Sequence, residues 1–507
     1  MYACVRVDVC IHAWLLTNVC LFCLLSQEGA LRPRASYLKL GTLDNFRWKL
    51  ISLLLLIQGF STSRSTPETD KAARPGNTMI TVTTTSDTST TSQPLGDTTV
   101  LSSIENTGRT PEDVMHEQRA NYLRKACEKS RITEPLVSSQ RMNSGKLDKN
   151  FFVDKGRHLV YCAVPKVGSS VWKRVFRILN NIEPPGSLFR QSGLLAHVHT
   201  KDLTFHNKGA QWKRKMLQSS LKFLFVRDPF ARLFSAYVDK IFLPFGFGQA
   251  AQIVNERGQN SFDLFSSFSQ NSESEEKCRM TIPTFATIVH EAVSDPSSVL
   301  QYNPHFVPIY RQCKPCTTHF NIVGKMESFL QDTEYILHKV GLTLDEIAED
   351  RSTFDTRNDL NIMSEIALRT LSSPVWKQLH DPICRPARRQ ILRRMWTVFK
   401  VRGLVSAELP FPPNMPLGGV EATLRALLRA IQTSYHASGN KEKRRQQRDA
   451  AMMEAFRSVP IADLAKLGTI FKPDCELFGY DCSLARFDHT QNGANVSSGY
   501  SYFRDWQ

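Results

Sequence analysis

The chain has 507 residues, 41% of them apolar, and carries 64 Lys and Arg against 48 Asp and Glu, a formal net charge of +16. That length and apolar fraction exclude a chain too polar to bury a core, and fit two or three domains or one large domain with appendages. The positive excess calls for a polyanionic partner (nucleic acid, an anionic membrane surface or an acidic polysaccharide) and by itself chooses none of them.

Two apolar runs open the chain. VCIHAWLLTNVCLFCLL (9–25) approaches the roughly 17-residue minimum for a bilayer span, although His12 and Asn18 interrupt it. LISLLLLIQGF (50–60) is shorter and follows Arg47 and Lys49, as the core of a signal anchor does. One of the two is expected to be an uncleaved anchor within a 1–60 tail-and-anchor segment. A stem at 61–110 follows, with TVTTTSDTSTTSQP at 81–94. Such Ser/Thr tracts bury too little apolar surface to fold, and with Pro they resemble O-glycosylated stalks. Anchor, stem and globular domain together give the expectation of a single-pass type II Golgi membrane protein with its folded part in the lumen.

Beyond the stem, 111–145 reads as a polar helix. HLVYCAV (158–164) and LKFLFV (221–226) are short apolar runs, and helical patterns follow both of them through Val171, Val175 and Ile178 and through Phe230, Phe234 and Tyr237. A third unit, 305–337, reads as loop, strand (FNIVGK) and helix. Repeated strand-turn-helix units predict an α/β fold, a P-loop-like parallel sheet flanked by helices, with its ligand at the C-terminal strand ends. The expected folded domain spans 111–350 and resumes at 458–485. Residues 351–457 are expected to be a divergent, partly disordered insertion with its own helices, and 486–507 a tail. Past the stem lie eight cysteines, Cys127, Cys162, Cys278, Cys313, Cys316, Cys384, Cys475 and Cys482. No second CxxC or spaced His pair accompanies Cys313-Lys-Pro-Cys316. No metal is therefore expected, and structural disulfides are, with their pairing open.

YCAVPKVGSSVWKRV (161–175) ends a strand at Pro165-Lys166, turns through Gly168 and starts a helix at Ser169-Ser170. Helix N–H groups, two hydroxyls and the Lys166 cation make an oxyanion cradle. The GxxxxGK[ST] spacing of a nucleoside-triphosphate loop is missing. In FLFVRDPFARLFSAYVDK (223–240), Arg227 ends a strand, Asp228 suits a helix N-cap and Pro229 the first helical position. An Arg fork with Ser235 further along suits a second phosphate.

This pair resembles the 5′-phosphosulfate loop and 3′-phosphate motif of sulfotransferases that use 3′-phosphoadenylyl sulfate (PAPS). The wording is most similar to the Golgi carbohydrate sulfotransferases that include the chondroitin and dermatan 4-O-sulfotransferases. The family's R[DE]PFxRLxSAYxxK appears as RDPFARLFSAYVDK, its HWxPxxxxCxPC…xIGKxE as HFVPIYRQCKPC…NIVGKME, and its FxxDxxxFGY as FKPDCELFGY. The resemblance covers about 150–345 and 460–485. It implies that Pro165, Lys166, Val167, Gly168, Ser169, Ser170 and Val171 hold the 5′-phosphosulfate, with Val171 standing where the family commonly has Asn. It implies that Arg227, Asp228, Pro229, Phe230, Ala231, Arg232, Leu233, Phe234 and Ser235 contain the 3′-phosphate contacts, chiefly Arg227 and Ser235. Lys166 would stabilise charge on the bridging oxygen.

His197, in LLAHVHTKDL, is the first candidate for the base, His305 the second and Glu327 a weaker third. Lys173, Arg174, Arg232 and Lys240 are candidates for holding an acidic acceptor, and KEKRRQQR (441–448) reads most simply as a solvated charged segment. Asn495-Val-Ser497 is an N-glycosylation sequon. The implied activity is transfer of sulfate from PAPS, without a metal, to a glycan hydroxyl, with position 4 of N-acetylgalactosamine in chondroitin or dermatan expected. The partners implied are a membrane and an anionic glycan, not nucleic acid. A catalytically decayed glycan-binding membrane protein and a P-loop nucleotide kinase are the alternatives, and the missing GK[ST] argues against the second.

Overall fold

The computed structural model describes residues 109–130, 148–191, 201–243, 283–295, 303–373, 382–487 and 501–504, with single positions between them. The apolar runs 9–25 and 50–60, the stem up to residue 108 and the sequon at Asn495 lie outside the described residues. Among the described residues no helix is long and apolar enough to cross a membrane. This corrects the expected single-pass type II Golgi arrangement, which stood on those two runs.

The sheet has four strands, β1 (Phe151–Asp154), β2 (Leu159–Cys162), β3 (Leu221–Val226) and β4 (Ile322–Lys325), in the order β1-β2-β3-β4. β2, β3 and β4 are parallel, with Tyr161 beside Phe223 and Phe225 beside Gly324. β1 pairs antiparallel with β2, Phe151 opposite Cys162, and so closes one edge of an otherwise parallel sheet. That edge strand, FFVD, is too short and too little alternating to stand out in the sequence. β2 is buried at every position, as a strand covered on both faces must be.

Helices cover the sheet. α1 (Pro111–Ser130) lies along β4, α2 (Ser169–Leu179) follows β2, and α3 (Pro229–Tyr237) follows β3. α4 (Ile309–Cys313) precedes β4 and α5 (Phe329–Lys339) follows it. Tyr161 stacks on Phe223 at 4.7 Å between ring centroids, and Trp172 of α2 meets Phe223 at 4.5 Å. Two disulfides fasten this core: Cys162 of β2 to Cys313, and Cys127 of α1 to Cys316. The two cysteines of the CxxC thus bond outward to different elements. Cys475 pairs with Cys482.

Where the sequence reads as a loose insertion, four helices stand: α6 (Phe354–Leu371), α7 (Arg385–Val401), α8 (Val420–His436) and α9 (Lys441–Arg457). α7 buries Ile391, Leu392, Met395, Trp396, Val398 and Phe399. Phe456 of α9 joins Phe230, Phe285 and Phe487 in an aromatic cluster. α10 (Ile461–Phe478) then returns to the sheet side and packs on α1.

Candidate active site

Adjacent parallel strands β2 and β3 end side by side, and the two motif loops leave from those ends. In the first loop Lys166 takes φ 72°, left-handed backbone that a non-glycine residue adopts only where its surroundings impose it. Gly168 follows with φ 76° and caps α2, and a Cβ there would come within 2.2 Å of Phe329 Cε2. Only glycine fits, for its conformation and for its closeness to α5. The first turn of α2 leaves backbone N–H groups without helical acceptors, as every helix start does.

In the second loop the Asp228 carboxylate accepts from Ala231 N at 2.8 Å, the expected N-cap, and Pro229 occupies the first helical position. Arg486 donates to the other Asp228 oxygen at 2.7 Å. Arg227 joins the loops, its Nη1 donating to the Lys166 carbonyl at 3.4 Å. Burial, with Arg448 nearby, lowers the Arg227 pKa to about 10.

The side chains assigned to anion binding fall into two groups. Lys166, Ser170, Arg227 and Ser235 keep part of their surface open. Val171, Phe230, Leu233 and Phe234 are core residues, so Val171 contributes packing rather than a hydrogen bond. Arg232 is 3% exposed, and its guanidinium is spent on three carbonyls, Pro165 at 3.0 Å, Val307 at 2.8 Å and Pro304 at 3.0 Å. It ties the first loop to the turn that carries His305, with three of its five N–H groups engaged there. Arg174 is likewise buried and ion-paired with Glu365 of α6.

α3 continues into a π-turn, Val238–Phe242, with the wide bond from Leu243 N to Val238 O at 3.1 Å. Such turns recur at functional sites. This one carries Asp239 and Lys240. Asp239 bonds Lys166 Nζ at 3.0 Å, Arg402 at 3.2 Å and Lys240 at 3.4 Å. Burial lowers the Lys166 pKa to about 7, with Asp239 raising it and Arg402 and Lys240 lowering it.

The two histidines differ in setting. His197 is exposed, with Nε2 3.3 Å from Ser170 Oγ and Nδ1 3.2 Å from Lys173 Nζ. An ammonium only donates, so Nδ1 accepts from Lys173 and the Nε2–H donates to Ser170. Partial desolvation and then Lys173, Arg369, Lys240 and Arg174 push the His197 pKa below the ordinary histidine range. His305 is half-buried and its Nδ1 is buried without a hydrogen-bond partner. Burial, then Lys240 and Lys166, lowers its pKa to about 2. Both rings are therefore neutral near pH 7. Glu327 accepts from Tyr480 at 3.1 Å and is thereby engaged.

The third and fourth motifs meet through Asp474, which sequence reasoning passed over. Its buried carboxylate accepts from Ile309 N at 2.7 Å and Tyr310 N at 2.8 Å, fixing the start of α4 just after His305. Burial raises its pKa to about 6. Asp in FKPDCELFGY was visible, but its partner 165 residues earlier was not. Among the described residues no cluster of His, Cys, Asp or Glu could hold a metal ion.

The two motif loops thus lie at neighbouring parallel strand ends, with cations outnumbering carboxylates around Asp239. Residues 149–397 match the sulfotransferase family. Among curated proteins, the chain is similar to carbohydrate sulfotransferase 14 of Danio rerio, 28% identical over 249 residues that cover 47% of this chain and 61% of that protein. Carbohydrate sulfotransferase 11 of Rattus norvegicus is 26% identical over 234 residues, covering 45% and 63%. Carbohydrate sulfotransferase 14 of Homo sapiens is 31% identical over 193 residues, covering 38% and 46%. The chain thus spans less than two thirds of the length of these relatives. No solved structure matches.

Proposed function

We propose that the protein is a carbohydrate sulfotransferase that moves a sulfuryl group from PAPS to a glycan hydroxyl, with position 4 of N-acetylgalactosamine in chondroitin or dermatan as the expected target. The observation that carries this reading is the junction of the two loops, where Arg227 touches the Lys166 carbonyl and three cations share the single carboxylate of Asp239. Such an excess of buried positive charge suits an anion bearing phosphates at both ends. The names of the curated relatives point to the same substrate class.

Arg227 and Ser235 would hold the 3′-phosphate, and the N–H groups of the α2 start with Ser169 and Ser170 the 5′-phosphosulfate. As the acceptor oxygen bonds to sulfur, the bond from sulfur to the bridging oxygen breaks and leaves its electron pair on the 5′-phosphate. Lys166 would stabilise that charge. A base takes the hydroxyl proton. We favour His305 over His197 for this role, because both ring nitrogens of His197 already have partners, whereas His305 feels the charges of Lys240 and Lys166.

The test is transfer from labelled PAPS to desulfated glycans by the full chain and by His305→Ala and His197→Ala, with binding of adenosine 3′,5′-bisphosphate measured alongside. His305→Ala is expected to lose about 100-fold or more in turnover with nucleotide binding retained. The larger loss in His197→Ala would reverse the assignment. Nucleotide binding by the wild type without transfer to any glycan would instead favour a glycan-binding protein that has lost catalysis.

A further inference from the structure

Lys166 does not stand alone at the strand end. Its ammonium lies 3.0 Å from Asp239, on the π-turn after α3, and that carboxylate also meets Lys240 at 3.4 Å and Arg402 at 3.2 Å. All four side chains are between 13% and 22% exposed. Asp239 falls on a position that the resemblance in SAYxxK leaves open, and Arg402 ends α7, outside every motif.

We infer that Asp239 is a positioning residue for Lys166: it holds the ammonium group at the strand end and supplies the counter-charge that keeps it cationic, while Arg402 competes for the same carboxylate. The inference rests on the sulfuryl-transfer reading of Lys166.

Three features support it. The backbone at Lys166 is left-handed, so its side chain starts from an imposed direction, and Asp239 receives it where it ends. The π-turn widens the helix at this residue, as happens where a helix is adapted to a site. The charges are also lopsided. Lys166 is faced by Asp239 and Lys240 from the π-turn and by Arg402 from the end of α7. It acts electrostatically on His305 in the 303–308 turn, and Arg227 of the second loop touches its carbonyl. Of these only Asp239 is negative. Burial opposes its ionisation, yet Lys166, Lys240 and Arg402 hold it well below the usual carboxylate range.

A neutral Lys166 cannot stabilise the charge left on the bridging oxygen, so activity should fall as pH rises through the titration of Lys166. Removing the anion makes the ammonium easier to deprotonate; removing a competing cation makes it harder. The pH dependence of kcat is measured for the full chain and for Asp239→Asn, Asp239→Glu and Arg402→Gln. The alkaline limb of Asp239→Asn is expected to move to lower pH by about one to three units, with affinity for adenosine 3′,5′-bisphosphate retained. Asp239→Glu should restore most of the wild-type limb, and Arg402→Gln should move it to higher pH. Structural damage gives no reason for opposite shifts. Limbs that stay in place in Asp239→Asn and Arg402→Gln, or move the same way, would overturn the inference. Should Asp239→Asn fail to fold, the direction seen in Arg402→Gln decides. Lys166→Ala, run alongside, separates the two levels. Full turnover there sinks the sulfuryl-transfer reading itself, whereas an inactive Lys166→Ala beside unmoved limbs sinks the role of Asp239 alone.

Discussion

The strand-end loops and the helices of 354–457 contribute to the same candidate site in unlike ways. The loops present groups whose surface stays partly open, Lys166, Ser170, Arg227 and Ser235, on backbone fixed by Gly168 and by the Asp228 cap. The helical region contributes side chains that engage the elements after those loops: Glu365 of α6 on Arg174 of α2, Arg402 just past α7 on Asp239 of the π-turn, and Arg394, whose Nε donates to Phe242 O at 2.5 Å. Reacting groups need a short, special local sequence, because loop and helix start must cooperate. Counter-charges need only arrive in space, and any element can bring them. A helical region outside the loop motifs can therefore be essential to a site written elsewhere.

The contrast can be broken at several points. The largest expected effect on stability comes from Glu365→Ala, which leaves the buried Arg174 guanidinium unpaired and should cost about 3 kcal/mol in chemical denaturation. A change near zero would mean that α6 merely lies alongside the loops. A smaller effect should follow pH. His116 of α1 is buried against Asp332 and Tyr335, and burial lowers its pKa to about 4. The unfolded chain binds that proton near pH 6.5, so stability should be full above this value and decline as pH falls towards 4. His116→Phe should flatten that decline in melting temperature, and an unchanged slope would remove His116 from the account.

The smallest effect is expected from the basic run 441–448. Lys441 pairs with Asp355, Lys443 with Glu408, and Arg445 with Glu442 and Asp449, all on exposed surface. Changing Lys441, Lys443 and Arg445 together to Gln should shift stability by no more than about 1 kcal/mol and leave nucleotide affinity unchanged. A marked loss of affinity would make this helix part of the anion site.

The same physical contrast explains what the sequence made legible. β2, β3, β4 and the helices after them could be read because buried parallel strands are short apolar runs, and the helix after β3 opens on its own Asp228-Pro229 cap. Lys166 and Arg227 could be read because turn chemistry and charge sit within a few residues of each other. Asp239 lay in plain view beside Lys240, but nothing local distinguishes a carboxylate that meets three cations from a solvated one. Arg402 and Asp474 act across the fold, on partners 163 and 165 residues away, and only the structure joins them. Arg174 and Arg232 misled for the converse reason. An arginine on a helix after a strand looks free in sequence, and here each is buried and bonded to neighbours.

The central claim is that Lys166, at the end of β2, carries sulfuryl transfer. It is tested most directly by incubating the full chain and its Lys166→Ala variant with labelled PAPS and a panel of desulfated glycans. The account predicts label on a glycan with the wild type and a loss of about 100-fold or more in the variant, with the fold intact. Transfer at the wild-type rate by Lys166→Ala would contradict it.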